Sequence, residues 1–281
     1  MKVKEIKVSN YLTKSNLPGF DFVINPYVGC SHACKYCYAS FMKKFSNHKE
    51  NWGEFIDIKL TDKAIDIKKI EHKNIFMSSV TDCYNIKEKD YLITRNILEE
   101  LKNSHCNLTI STKSSLILRD IDILKEFKNL RVCISINTID EKFKSDMDKA
   151  STIKERLNTL KTLHDNNIYT IAFVSPIFPY ISEVQKIIEI SKDYIDEYWF
   201  ENLKLRGDYK KPILNYINYN YKDLYPKYID IYFNNNMSYW KDLSLKIEDI
   251  CNKYNLKYKI FWNNNNKEEK LILKQESFKL F

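Results

Sequence analysis

The stretch NPYVGCSHACKYCYASF, from Asn25 to Phe41, sets Cys30, Cys34 and Cys37 in a Cys-x3-Cys-x2-Cys run. A structural zinc takes four ligands and a disulfide takes two. Three thiols in one short loop therefore point to a centre that the protein leaves partly open. Spacings of four and three residues let the sulfurs converge within about two turns of backbone. Three thiolates on a four-iron cluster leave one iron without a protein ligand, and an open iron is a binding site.

The run FVI, Phe22 to Ile24, precedes this loop and is the first of six short apolar runs. The others are NIFMSS (Asn74 to Ser79), LTIST (Leu108 to Thr112), VCISIN (Val132 to Asn137), TIAFVS (Thr170 to Ser175) and EYWFEN (Glu197 to Asn202). Continuous short apolar runs fit strands buried on both faces of a parallel sheet. Helix-like segments separate them, roughly Glu88 to Lys102, Arg119 to Phe127 and Ser182 to Lys192. The clearest begins at Thr152, where Thr152 and Glu155 make a capping box before Leu157, Leu160 and Leu163 at helical spacing.

Six βα-like units predict an α/β fold with right-handed crossovers, either an open doubly wound sheet or a partial barrel, and functional residues at the C-terminal ends of the strands. We read a partial (β/α)6 barrel of TIM type over residues 1–205, with its core at about 20–205. Residues 206–281 are tyrosine- and asparagine-rich and read as a helical C-terminal extension packed on the barrel. Ser238 is expected to cap a helix there, KYKIFW (Lys257 to Trp262) to form a strand, and Asn263 to Asn266 to form a mobile turn.

No apolar run is long enough for a membrane span and the first residues alternate charge with apolar side chains, so a cytoplasmic protein is expected. Three of the seven cysteines are clustered and Cys83, Cys106, Cys133 and Cys251 are scattered, unlike a secreted disulfide framework. The net charge of +8 comes from lysines spread along the whole chain, the pattern of a solvated surface.

The loop, with an aromatic Tyr36 before its last cysteine and a place after the first strand, resembles the signature of the radical S-adenosylmethionine (radical SAM) superfamily. The later text SSVTDCYNIKEKDYLITRNILEEL, ISTKSSLILRDIDIL, ISIN and VSPIFP is similar, in the same order, to the branch that includes spore photoproduct lyase. The resemblance implies a radical SAM enzyme: a 4Fe-4S cluster held by Cys30, Cys34 and Cys37 reductively cleaves S-adenosylmethionine. The resulting 5′-deoxyadenosyl radical abstracts a hydrogen atom from a substrate. It also implies an electron donor such as flavodoxin or ferredoxin. The substrate is left open between small molecule, peptide and nucleic acid.

Position by position, the resemblance sets Tyr36 against the adenine and Ser78, Ser79, Thr81 and Asp82 near the methionyl amino group. Lys113 falls on the methionyl carboxylate, Ser135 and Asn137 on the ribose, and Pro176 at the adenine edge. The chemistry of the ligand asks for the same groups: acceptors at an amine, a cation at a carboxylate and polar partners at a sugar. Each residue also has a plainer reading: Asp82 as a helix cap, Lys113 as a solvated cation, Ser135 and Asn137 as turn residues.

The lyase carries a hydrogen-donor cysteine just before the carboxylate that ends its second strand, and Ser79 stands at that place here. Cys83 is either a displaced donor or a small residue at a loop start. Tyr38 is a candidate hydrogen relay, and Arg156 and Glu201 are candidates for substrate contacts at the barrel mouth. Arg119 is a further, weaker candidate. Two competing readings remain at this point. One is a nucleic-acid-modifying or lesion-repairing relative of the lyase. The other is a non-catalytic nucleic-acid-binding module stabilised by zinc, with His32, His48 or Cys83 completing the metal site.

Overall fold

The computed structural model describes residues 1–262, so the turn expected at Asn263 to Asn266 lies outside the described residues. The strands are β1 (Lys2–Lys7), β2 (Leu12–Lys14), β3 (Phe22–Ile24), β4 (Tyr27–Gly29), β5 (Phe55–Leu60), β6 (Asn74–Met77), β7 (Asn107–Thr112), β8 (Leu130–Ser135), β9 (Tyr169–Ile177), β10 (Glu197–Asn202) and β11 (Lys257–Phe261). The six expected strands are β3 and β6 to β10. They lie side by side in chain order, each parallel to the next. An order without reversal is that of an unwound barrel, whereas a doubly wound sheet changes direction at a switch point. The sheet stays open, with antiparallel β2 on one edge and parallel β11 on the other.

The continuous apolar runs have a direct packing reason. Alternate residues Val132 and Ile134 of β8 join the main core, while Cys133 between them packs with Ile171 and Trp199 on the opposite face. Both faces are covered, so both register positions at the centre of β8 carry apolar side chains.

Helices α1 (Ile67–Ile70), α2 (Glu88–Tyr91), α3 (Ile93–Leu101), α4 (Ile121–Leu124), α5 (Glu141–Met147), α6 (Ile153–Asp165) and α7 (Val184–Ser191) connect the strands, and α8 (Lys210–Asn220), α9 (Tyr225–Phe233) and α10 (Ser238–Lys253) follow β10. The capping box forms at α6: Thr152 Oγ1 accepts from the Glu155 amide at 3.1 Å and Glu155 Oε2 accepts from the Thr152 amide at 2.7 Å.

Several boundaries differ from the sequence reading. The helix expected from Glu88 breaks at Leu92, whose φ is 54°, because the Glu88 carboxylate accepts from the Thr94 and Arg95 amides and caps a second helix. The segment expected from Arg119 begins instead as a 3-10 turn over Ser115–Asp120, which the Ser114 hydroxyl starts by accepting from the Leu116 amide. Ser238 is the first residue of α10 and does not cap it; Asn236 Oδ1 accepts from its amide at 3.0 Å. The strand expected at KYKIFW forms as β11 and pairs with β10.

A second small sheet, β1, β5 and β4, has no counterpart in the sequence reading. It inserts β4 between β3 and the cysteine loop, so the loop follows a short sheet strand instead of the first barrel strand directly. No helix among the described residues is long and apolar enough to cross a membrane.

Candidate functional site

One cleft opens at the C-terminal ends of the parallel strands, with about 1000 Å³ of empty space counted to its open mouth. Cys30, Cys34 and Cys37 line it, together with Tyr36, Tyr38, Ser78, Ser79, Thr81, Asp82, Lys113, Ser135, Pro176 and Glu201.

The cysteine loop is gripped from the small sheet. Gly29, at φ +85°, lies where a Cβ would come within 2.3 Å of the Phe55 carbonyl oxygen, so a side chain there cannot fit. Gly53, at φ +97°, does the same against Ala33, where a Cβ would approach the Ala33 Cβ to 2.7 Å. All seven cysteines are free. Burial pushes the Cys30 and Cys37 thiols up and raises Cys34 to about 12. Such thiols ionise when a cation arrives in the cleft.

Asp82 sits at the centre of the second strand's end. Burial alone would raise its carboxyl, but His32 Nδ1 at 3.2 Å, the Thr112 hydroxyl at 2.7 Å and the Lys113 amide at 2.9 Å outweigh burial and hold it at about 2. A carboxyl held below its ordinary value stabilises the fold fully above about pH 4 and loses that contribution as pH falls through about 2. Asp82→Asn should therefore be less stable than the parent at pH 7, and lose less further stability between pH 4 and pH 2. Urea unfolding of the cluster-free chain at both pH limits measures this; parallel losses in the two proteins would refute it.

Ser78 adopts a left-handed φ of 77° and its Oγ accepts from the Cys83 amide at 2.9 Å, tightening the turn that presents Asp82. Ser79 Oγ accepts from Asn25 Nδ2 at 2.9 Å, and the Thr81 hydroxyl donates to the Gly29 carbonyl at 2.6 Å. These bonds tie strand end and cysteine loop together. The Lys113 ammonium lies 5.9 Å from the Tyr36 ring centroid. The Tyr38 hydroxyl donates to the Ser79 carbonyl and the residue is half-exposed at the cleft.

Four residues stand elsewhere than the sequence reading placed them. Arg156 is fully buried and outside the lining; it donates to Asp148 at 2.5 Å, so it is a core ion pair and not a substrate contact. Cys83 is fully buried in the main core, one position beyond Asp82 and facing away from the cleft lining. Asn137 lies past the end of β8, outside the lining, with its buried Nδ2 lacking a protein partner. Arg119 turns back onto Glu88 and Asp120 at 2.7 and 2.8 Å.

The lining also includes Trp52, Asn202, Lys204, Arg206 and Tyr209, which the sequence reading omits. Asn202 was within reach of the strand-end rule, since it follows Glu201 at the end of β10. Trp52 carries no sequence signal, because only the loop before β5 brings it to the cysteines. Glu201 accepts from the Ser175 hydroxyl at 2.8 Å and from Lys204 at 3.0 Å, and Asn202 Oδ1 is buried without a partner.

The proposed zinc ligands are otherwise engaged. His32 faces Asp82, and both ring nitrogens of His48 are used, on Asp57 at 2.7 Å and Glu50 at 3.0 Å. Among the described residues, no three His, Cys, Asp or Glu side chains converge on a point that a single metal ion could occupy. A 4Fe-4S cluster instead takes one thiolate at each of three separate irons. Three thiols, Cys30 buried and Cys34 and Cys37 partly buried, a cation at Lys113 and the unpaired Asn202 oxygen in one cleft fit a cluster together with a polar, zwitterionic ligand.

Comparison with known proteins agrees. The family model described as the radical SAM superfamily matches residues 24–191. An uncharacterised protein of Methanocaldococcus jannaschii is 38% identical over 228 residues, covering 80% of this chain and 86% of that protein. A protein of Acidianus two-tailed virus is 32% identical over 171 residues, 56% of each chain. Among solved structures, a double mutant of spore photoproduct lyase with bound AdoMet and dinucleoside spore photoproduct superposes with a TM-score of 0.58 at 14% identity, over 76% of this chain and 65% of that one. Streptococcus suis SuiB bound to S-adenosylmethionine gives 0.55 at 14% identity, over 86% of this chain and 50% of SuiB. The chain thus spans less than two thirds of either solved relative's length.

Proposed function

Because the chain belongs to the radical SAM superfamily, enzymes that use a 4Fe-4S cluster and S-adenosylmethionine, we propose that it abstracts a hydrogen atom from a substrate held at the Glu201 side of the cleft. The observation that carries this reading is one cleft that brings the three cysteines and Lys113 together with the polar side chains of Glu201, Asn202, Lys204 and Arg206.

When bound, the cluster and S-adenosylmethionine supply an electron and a 5′-deoxyadenosyl radical. The chain's own residues bind and orient. Cys30, Cys34 and Cys37 hold three irons, Lys113 neutralises the methionyl carboxylate, and Ser135 and Pro176 border the nucleoside. Asp82 keeps the Lys113 amide and the Thr112 hydroxyl in place. Ser175, bonded to Glu201, joins the nucleoside edge to the substrate end.

A lesion-repair reading with a thiol hydrogen donor has less support, because the cysteines lining the cleft are Cys30, Cys34 and Cys37, each assigned to iron, while Cys83 faces the core. Tyr38 is the remaining candidate relay at the mouth. Seven free cysteines support a reducing, cytoplasmic setting, where flavodoxin or ferredoxin can supply the electron.

The test is anaerobic. Cluster-loaded protein with dithionite and S-adenosylmethionine should form 5′-deoxyadenosine and methionine. Deuterated candidate substrates of the small-molecule, peptide and nucleic-acid classes should then transfer deuterium into the 5′-deoxyadenosine. A loaded protein that forms no 5′-deoxyadenosine overturns the reading.

A further inference from the structure

The turn after α5, from Met147 to Ser151, bonds to the cysteine loop and to the segment after β7. Its Met147 carbonyl accepts from the Lys35 amide at 2.9 Å, and its Lys149 amide donates to the His32 carbonyl at 2.7 Å. Between them, Asp148 Oδ2 accepts from the Tyr36 hydroxyl at 2.9 Å. Three bonds thus hold the cysteine loop at residues 32, 35 and 36, flanking Cys34. On the other side, Ser151 Oγ accepts from the Ser115 amide at 2.9 Å, two residues after Lys113.

Asp148 and Arg156 form the centre of this turn, both essentially excluded from solvent. Asp148 Oδ1 accepts from Arg156 Nη2 at 2.5 Å and from the Ala150 amide at 3.0 Å, with the Lys144 ammonium at 3.6 Å. Arg156 also donates to the Ser151 carbonyl at 2.9 Å and to the Ser135 carbonyl at 3.3 Å. A buried carboxylate with this many donors is fixed in place. Its second oxygen therefore offers Tyr36 an acceptor whose position is set by the strand-end residue Ser135.

We propose that Asp148 is a positioning residue: through Arg156 and Tyr36 it holds the cysteine loop in register with the strand ends that receive S-adenosylmethionine. The inference rests on the radical SAM reading of the cleft. Neither Asp148 nor Arg156 lines the cleft; their effect passes through the Tyr36 ring, which does.

Two variants test this, Asp148→Asn and Tyr36→Phe. In the cluster-free chain, iodoacetamide labelling of Cys34 and Cys37, read by mass spectrometry, should speed up about tenfold in each, the worth of one charge-assisted hydrogen bond. Labelling of the buried Cys133 should stay unchanged. In the iron-loaded proteins, iron content should hold while S-adenosylmethionine affinity falls by a similar factor, with a weaker cofactor-induced change in the reduced cluster's electron paramagnetic resonance spectrum.

The double variant should lose no more than Asp148→Asn alone, because the Tyr36 hydroxyl acts through its bond to Asp148. Labelling and affinity like the parent's in Tyr36→Phe, or losses that add in the double variant, would overturn the proposal. Tyr36→Phe leaves the buried ion pair intact, so it decides the question alone if Asp148→Asn does not fold. If the parent itself loads iron yet binds no S-adenosylmethionine, the radical SAM reading of the cleft has failed. The labelling of the cluster-free chain still decides whether Asp148 holds the loop.

Discussion

Cys34→Ala should abolish cluster loading, taking iron from about four per chain to well under one, with no 5′-deoxyadenosine formed. The same result is expected for Cys30→Ala and Cys37→Ala. Each thiol serves one iron, and the cleft offers no spare donor to replace it: His32 is turned to Asp82, and Cys83 is fully buried in the main core. Cys83→Ala is the control. It should keep its iron and its capacity to cleave S-adenosylmethionine, because its sulfur does not reach the cleft. Iron and sulfide analysis of anaerobically loaded proteins distinguishes the two outcomes. Iron loss in Cys83→Ala together with retention in any of the other three would refute the ligand assignment.

The second large effect falls on the fold itself. Glu88 is fully buried and its carboxylate accepts from the Tyr27 hydroxyl at 2.5 Å, the Thr94 and Arg95 amides at 2.8 and 3.3 Å, and Arg119 Nη2 at 2.7 Å. Alanine there leaves a phenol and two amides without their acceptor, while the Arg119 guanidinium keeps Asp120 and the Glu88 carbonyl. Leaving buried donors unsatisfied in this way costs about 1–3 kcal/mol. Glu88→Ala should show that loss in urea unfolding of the cluster-free chain, and Glu88→Gln a smaller one, since the amide still accepts some of these bonds. A loss below about 1 kcal/mol for the alanine variant, the range of an exposed pair, would contradict the role assigned to this network. Tyr27 is three residues before Cys30, so a fold weakened at Glu88 should also load less iron.

The parts of the molecule that were readable along the chain share one property: they depend on neighbours in sequence. The cysteine spacing is local. So is the capping box at Thr152, and so are the apolar runs, whose continuity follows from a sheet covered on both faces. Once the strand ends were located, the rule that chemistry gathers at their C-terminal side led to Asp82, Lys113, Ser135 and Glu201, all of which line the cleft.

What the chain order could not reveal was direction and partnership. Asp82 and Cys83 are adjacent, yet one faces the cleft and the other the core, because the turn at Ser78 sets which side each presents. Arg156 reads as a polar residue on a helix near the mouth; its burial depends on Asp148, on the far side of a turn, and on the Ser135 carbonyl. Trp52 and Gly53 reach the cysteine loop through a separate small sheet whose strands are far apart in sequence. Spacing and apolar continuity by themselves located the cysteine loop and the six parallel strands, whose order in the sheet came with the tertiary structure. Only the tertiary structure decided which polar groups face the cofactor and which lock the loop from behind, because pairing buried charges requires residues that only packing brings together.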